Sequence, residues 1–522
     1  MHLIRRKLHD CQRGFTTVTL MGVLVVGGLL VAAGFAAVDP DISLSREDQD
    51  YKQAYGAAES GLQWYLNSLG KDNNYYVRCT TGLPQPTPGQ NAPVNQEWNG
   101  TGPDPRIWRT IDATERADYT VELLPAPGFA ACIPNNQYSV VDPSGNMRLR
   151  VTGRSRGETR SVIATLRRRN FIDFIYFTDF ETLDPAAYSN PSTMEPKCAR
   201  YRAQRAGQGC TEIRFADNDD VFGPFHTNDN VLICGSPTFG RTKRDVIEIN
   251  GPIPFETSSG CSNSPDLKGF LDHPAGPLEM PPSNRAIKDV TLPSYIFEGK
   301  TTITLQGGQM QVVNQRLWPD LLPRTMPLPN NGVIYVANTT GVPCTSIYDR
   351  DQDYTNQPVA CGDVWIKGNY SRDLTIAADN DVIVNGHLDR NSEGLLLGLI
   401  ANNFVRVYHP VSSDCTRNAT GYIRDLRIQA AILALRHSFI VDNWGCGEPA
   451  GSLMVDGAIA QKFRGPVGTV NGTSIATGYR KDYEYNDRLR YREPPFFLDP
   501  VQASWRVARQ NEQVPATAAP ER

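Results

Sequence analysis

The sequence lacks every short pattern that marks a common catalytic centre. No GxSxG, HExxH, P-loop or Rossmann glycine pattern occurs, so nothing signals a serine hydrolase, a zinc protease, or a nucleotide- or dinucleotide-binding enzyme. No two cysteines are spaced as CxxC, which leaves a zinc ribbon or thioredoxin-like redox site without basis. Histidine is scarce, at seven residues in 522. Neither sign of charge dominates: 52 Lys and Arg face 56 Asp and Glu, a formal net charge of −4. That is not the basic footprint of a dedicated nucleic-acid binder. Long apolar runs are missing as well, with one exception at the N-terminus.

What is present points to a turn-rich β protein. Glycine (44) and proline (38) are plentiful, which favours β architecture over helical bundles. The length suits two or three domains. Of 11 cysteines, Cys11 falls in a segment expected to be removed. The other ten are Cys79, Cys132, Cys198, Cys210, Cys234, Cys261, Cys344, Cys361, Cys415 and Cys446. Dispersed, even-numbered cysteines in an exported chain imply disulfides. Sequence cannot fix their connectivity; the simplest guess pairs neighbours, 79–132, 198–210, 234–261, 344–361 and 415–446.

The apolar exception runs from Phe15 to Val38 without a charge, after a leader (1–14) carrying Arg5, Arg6, Lys7 and Arg13. It is long enough to cross a hydrocarbon core of about 30 Å as a helix. The basic leader keeps the preceding end in the cytoplasm and the rest of the chain outside. Two readings compete. One is a signal peptide cut after Ala36 or Ala37; the other is a prepilin leader cut between Gly14 and Phe15, with 15–38 retained as a transmembrane helix. The second is favoured by the Gly-Phe junction, by the length of the run, and by the periodicity of the next thirty or so residues. Tyr51, Tyr55, Ala58, Leu62, Tyr65 and Leu69 lie on one face of a 3.6-residue period, so 39–70 continue the helix amphipathically.

RGFTTVTLMGVL followed by QAYGAAESGLQWYL resembles the N-terminal domain of PilX-type minor pilins and pseudopilins. The family's A-x-x-AAE-x-GL segment is matched by Ala54, Ala57, Ala58, Glu59, Gly61 and Leu62. The resemblance covers about seventy residues. It implies processing by prepilin peptidase, N-methylation at Phe15, and assembly with other pilin-like subunits through the helix. One departure matters: most major pilins carry a glutamate five residues after the cleavage point, and Thr19 stands there. Without a buried charge the helix enters the membrane at lower cost but loses a register-setting pair. That suits an accessory subunit better than a filament-building one.

Residues 71–170 are expected to form a small pilin-like α+β region. A Pro/Gly/Asn-rich loop opens it. A hairpin comes after the loop, in which Met147, Leu149 and Val151 alternate with polar residues, as do Val162, Ala164 and Leu166. Arg148, Arg150, Arg154, Arg156, Arg160 and Arg167 to Arg169 read as outward strand positions, or as a contact for DNA or another polyanion.

From Phe171 to residue 478 the texture is short apolar triplets between Gly, Asn and Asp turns, recurring about every eight to ten residues. Such strands suit a right-handed parallel β-helix, with a β-sandwich as the alternative. Asn369, Asn380, Asn385, Asn402, Asn403 and Asn443 sit where they tolerate left-handed backbone or stack between coils. YFTDFE (Tyr176 to Glu181), GPFHTND (Gly223 to Asp229) and KDYEYNDRLRYREPPFFLDP (Lys481 to Pro500) resemble large bacterial pilin-like proteins, a resemblance that implies membership and no particular activity. Residues 479–510, where Tyr479, Tyr483, Tyr485 and Tyr491 interleave with arginines, are expected to cap the last coil, and 511–522 to be a disordered tail.

Few residues suggest chemistry. His226 with Asn228 and Asp229 reads as a turn-stabilising cluster, since zinc needs three or four ligands. Asp349, Asp351 and Asp353 alternate as calcium ligands can, yet Tyr354 replaces the EF-hand glycine and no glutamate closes the loop. The run Asp217 to Asp220 is weaker still. Asp363, Asp373, Asp379 and Asp381 are acid candidates for a polysaccharide-cleaving enzyme, with no spacing that singles out a pair. The expectation is therefore a non-enzymatic minor pilin or pseudopilin, with no cofactor beyond a weak calcium candidate. It sits in the cytoplasmic membrane and shows its β-domain at the cell surface or on a pilus, for adhesion, secretion or DNA uptake. The alternatives are a membrane-anchored carbohydrate-active enzyme and a secreted binding protein lacking 1–37.

Overall fold

The computed structural model describes residues 17–72, 74–79, 108–112, 117–217, 219–257, 260–345, 348–354, 358–471, 474–501 and 504–516. The chain is mainly β, with one long N-terminal helix, α1 (Thr17–Lys71, 55 residues). At 1.5 Å per residue α1 spans about 80 Å. The Gly14–Phe15 junction lies outside the described residues. Among the described residues no helix is long and apolar enough to cross a membrane. The side chains of 33–45 lie outside that description, and the stretch from Thr17 to Ala32 is by itself shorter than the roughly 20 residues a crossing needs.

The C-terminal half of α1 packs on an antiparallel sheet of β1 (Arg109–Asp112), β2 (Ala117–Leu124), β3 (Asn146–Ser155) and β4 (Glu158–Arg168). The expected apolar face is present from Ala54 onward: Ala58, Leu62, Tyr65 and Leu69 are buried, whereas Tyr51 is exposed and Tyr55 half-buried. Close approach explains the small residues. A Cβ on Gly153 would lie 2.1 Å from the Ala54 carbonyl oxygen, and one on Gly61 2.6 Å from the Tyr119 ring. The hairpin β3–β4 turns at Arg156 and Gly157, both at positive φ (46° and 99°), the two-residue geometry that matches strand twist.

The fifth strand of this sheet comes from the other end of the chain. Trp505–Gln513 pairs antiparallel with β4, Trp505 opposite Arg168 and Gln513 opposite Ser161. The expected disordered tail from 511 is corrected accordingly: the strand continues through Gln513, because its neighbour β4 offers a full edge to pair with. Residues 517–522 lie outside the described residues. The Arg169 N–H donates to the Ser504 carbonyl at 2.8 Å, so everything between is an insertion spliced between two adjacent strands.

Among the described residues, that insertion forms a sheet of 23 strands that curls around its own apolar core, and beside it a small parallel sheet of Phe215–Ala216, Val231–Cys234 and Phe255–Thr257. Two long ladders run through it, parallel at nearly every step. One joins Ile296–Glu298, Val333–Ala337, Leu374–Ala378, Leu397–Ala401, Ala431–Ala434 and the end of Pro449–Arg464. It then continues into Tyr176–Leu183, Phe225–Thr227, Val246–Ile249 and Phe270–Asp272. The second ladder repeats this order from Thr301–Gly307 through Ser474–Tyr485 to Asp220–Phe222 and Asp266–Leu267. A sandwich would be built from antiparallel strands; these ladders are not.

The chain enters this domain in the middle of the stack. It winds outward to one end by Asp272, crosses back along the stack, and winds in again from the opposite end. Its last turns then pair with its first, Ile459 opposite Tyr176 and Tyr483 opposite Val221. The crossover is pinned by side-chain amides. Asn228 accepts from the Leu278 N–H at 3.0 Å and donates to its carbonyl at 2.8 Å; Asn284 donates to the Ala378 carbonyl at 2.7 Å. The expected cap at 479–510 is thereby corrected. Ser474–Tyr485 lies inside the stack, and Tyr479, Tyr483 and Tyr485 are buried there as core. An antiparallel hairpin, Thr301–Gly307 with Gln309–Asn314 and Arg324–Pro327, closes the far end instead.

Five disulfides join the sequence neighbours: Cys79–Cys132, Cys198–Cys210, Cys234–Cys261, Cys344–Cys361 and Cys415–Cys446. Asparagines stack at the turns, Asn403 donating to the Asn380 side-chain oxygen at 2.5 Å, and Asn443 adopts a left-handed φ of 52°.

Candidate functional site

The two halves of α1 differ in what covers them. Between Ala54 and Leu69, the sheet-facing Ala54, Ala57, Ala58, Leu62, Tyr65 and Leu69 are at most 2% exposed. Val18 is 80% exposed, Leu24 66% and Leu30 69%, so the described part of the N-terminal half has no protein against it. Thr19 lies on this exposed stretch. An apolar surface of this extent marks an interaction site.

The arginine row expected as a basic surface is largely engaged within the molecule. Arg150 meets Glu122 at 3.1 Å; Arg154 meets Asp118 at 3.2 Å and covers the Trp108 ring. Arg148 is exposed. The triplet at the end of β4 clamps the inserted domain: Arg167 to Glu493 at 2.9 Å, Arg168 to Asp499 at 3.1 Å, and Arg169 to Glu248. Arg167 is fully buried. Burial pulls its pKa down, but the Glu493 and Asp173 carboxylates more than offset this and leave it raised. Burial, with Asp499 beside it, holds Glu493 above the ordinary carboxylate range despite Arg167. A DNA contact on this row has few free charges to use.

GPFHTND is a buried lock. His226 Nδ1 lies 2.7 Å from Glu248 and Nε2 3.0 Å from the Asn228 oxygen. Burial pushes the His226 pKa down to about 3. Asp229 accepts from the Arg202 and Glu181 N–H groups and pairs with Arg205. Nearby, Arg464 pairs with Glu181 and covers the Phe215 ring at 3.6 Å.

The acidic candidates do not assemble into a metal site. The Asp351 N–H donates to Asp349 at 3.0 Å in an exposed turn. Among the described residues no three His, Cys, Asp or Glu side chains gather as ligands, Asp353 included. Asp217 accepts from the Ser236 N–H, and Asp219 pairs with Lys481 at 3.3 Å. Asp373 accepts from the Leu396 N–H and Asp379 from Tyr335. Asp363 and Asp381 do come together, in a buried network. Asp363 accepts from the Asp381 N–H at 3.1 Å, while Asp381 pairs with Arg406, which also holds Asp442 at 2.9 Å. Burial, then the neighbouring Asp381, raises the Asp363 pKa. Arg406 is itself only 2% exposed, so the pair reads as core.

Two clefts open where the N-terminal body meets the inserted domain. One, of about 270 Å³, includes Arg169, Glu248, Arg490 and Arg506 in its wall; the other, of about 280 Å³, includes Tyr76, Tyr138, Arg168, Glu493 and Asp499. The sequence singled out Arg168 and Arg169 but neither Arg244 and Arg506 nor the clefts, whose walls come from segments far apart in the chain, as in the separation of 331 between Arg168 and Asp499.

The fold is thus a long helix on an antiparallel sheet that carries a large parallel β insertion. No family of related sequences matches the chain, and no curated protein does. Among solved structures, the chain is similar to the competence-associated pilin ComZ from Thermus thermophilus, at 14% identity and a TM-score of 0.26, over 90% of this chain and 98% of that one.

Proposed function

We propose that this chain is a minor pilin or pseudopilin of PilX type. In this reading prepilin peptidase cuts between Gly14 and Phe15, the new N-terminus is methylated, and residues 15–38 hold the protein in the cytoplasmic membrane until it joins other pilin-like subunits. The observation that carries the reading is the asymmetry of α1, uncovered and apolar at one end and packed on a sheet at the other. An uncovered apolar helix needs lipid or a neighbouring helix around it. The ladders we read as coils of a right-handed parallel β-helix displayed outside the membrane, with a binding role and no catalysis. The burial of Asp363 and Asp381, with Asp381 paired to Arg406 and Asp363 hydrogen-bonded to Asn380, supports that role. Intact mass of the exported protein tests the proposal. A chain beginning at Phe15 with one added methyl group is expected; a chain beginning near Ala37 or Val38 overturns it.

A further inference from the structure

The cleft of about 270 Å³ is walled by four guanidinium groups from four separate segments: Arg169 after β4, Arg244 before Val246–Ile249, Arg490, and Arg506 on the C-terminal strand. Its two carboxylates are already occupied. Asp173 accepts from the Asn170 N–H at 3.0 Å and from Arg506 at 2.7 Å; Glu248 binds His226 and Arg169. Each guanidinium carries five N–H donors. Arg506 uses one on Asp173, and Arg490 two, on Asp245 and Asp487. Arg244 is exposed and, among the described residues, no carboxylate pairs with it. The cleft is therefore rich in donors and poor in free acceptors. Phe174, Val246 and Val507 also line it, giving it an apolar lining beside the charges. Burial pushes the Arg169 pKa down, and the neighbouring Arg506 adds to this against the pull of Asp173. A bound anion would relieve both.

We propose that this cleft binds a small phosphate-bearing ligand, held chiefly by Arg244 and Arg506 with Arg169 behind them. Planar guanidinium forks pair bidentately with phosphate oxygens, and a tetrahedral oxyanion offers acceptors to several arginines at once. The cleft has room for more than inorganic phosphate alone, so a phosphate monoester of a small alcohol fits the same donors. The wall draws on both bodies of the protein, so a bound ligand bridges them and stabilises the folded chain by mass action.

The test is calorimetric titration of the full chain in detergent with potassium phosphate and, separately, glycerol phosphate, against chloride at matched ionic strength. One saturable site is expected for at least one of the two, together with a rise in unfolding temperature. If both bind, the ratio of their affinities tells free phosphate from an ester. Arg244→Ala, at an exposed position, should weaken binding at least tenfold without changing the unfolding temperature of the free protein, and Arg244→Lys should restore part of it. Absence of saturable binding overturns the proposal. So does an Arg244→Ala variant of unchanged affinity, or binding shown only by an oligonucleotide and by neither small probe.

Discussion

Arg464 Nη1 lies 3.3 Å from Glu181, both side chains at most 2% exposed, and joins the final strand of one ladder to its first across 283 positions of sequence. Arg464 also donates to the Ile213 and Arg214 carbonyls at 3.1 Å, so its charge is neutralised and its donors placed at the seam between the first and last turns. Removing one member of a buried pair leaves the other uncompensated, which costs about 3–5 kcal/mol. Glu181→Ala should therefore lower stability by about that amount in denaturant titration. Glu181→Leu combined with Arg464→Met should lose much less. Equal losses from the single and double variants would refute a seam held by this pair.

The inserted domain leaves and rejoins the N-terminal sheet at neighbouring backbone positions, with Arg169 N–H on the Ser504 carbonyl. Domains inserted at such close ends can be removed. Joining residue 169 to 504 through a short glycine turn, with Arg167 and Arg168 neutralised because Glu493 and Asp499 leave with the insertion, should give a small folded body. A dispersed amide spectrum and an intact Cys79–Cys132 bond are the expected readouts.

His226 sets a pH dependence of definite sign. Its folded pKa, about 3, lies below the ordinary histidine value of about 6.5. The unfolded chain therefore binds the proton first, and this contribution to stability is complete above pH 6.5 and lost progressively as the pH falls toward 3. His226→Gln should flatten the acid limb of a stability–pH curve between those values. An unaltered slope would show that the ring is not held neutral.

The disulfides should differ in worth by loop length. Cys79–Cys132 closes a separation of 53 residues and Cys198–Cys210 one of 12. In the chain-entropy account, the difference is about 1 kcal/mol. Replacing each pair by serines and comparing denaturation midpoints checks it; a larger loss from the shorter loop would contradict that account.

Gly153 is the tightest contact of helix on sheet. A Cβ there would meet the backbone of Ala54 and Ala58, which cannot swing aside as a side chain can. Gly153→Val should cost about 1–3 kcal/mol or more through overpacking, and limited proteolysis should then cut within the second half of α1.

Local features were legible in the sequence because local chemistry decides them. The Ala54–Leu69 face and the β3–β4 hairpin each follow from residues close in the chain, although Arg156, expected as an outward strand position, sits in the turn between the two strands. The disulfides match the simplest guess, that sequence neighbours pair, which the sequence alone could not fix. The order of the ladders was not legible, since a buried triplet such as Val382–Ile383–Val384 has the same pattern whichever strand lies beside it. Nothing in Tyr176–Leu183 announces that Ile459 will be its neighbour. The C-terminal strand escaped notice for a different reason. In WRVARQNEQ only Trp505 is buried, with Val507 packed partly against the core, so the alternation that marks a strand fades after two residues. The candidate clefts combine both difficulties, with exposed arginines on one side and partners hundreds of positions away on the other.

Pairing of the C-terminal strand with β4 gives synthesis a direction. Until residues 505–513 emerge, β4 presents an unpaired edge of backbone donors and acceptors, and the turn holding Tyr176 lacks its Ile459 neighbour. Contacts between such distant positions form slowly. The inserted domain cannot close until Ile459 and Tyr483 have been made, nor the N-terminal sheet until 505–513 have, and a chain cut short before Trp505 keeps an adhesive edge.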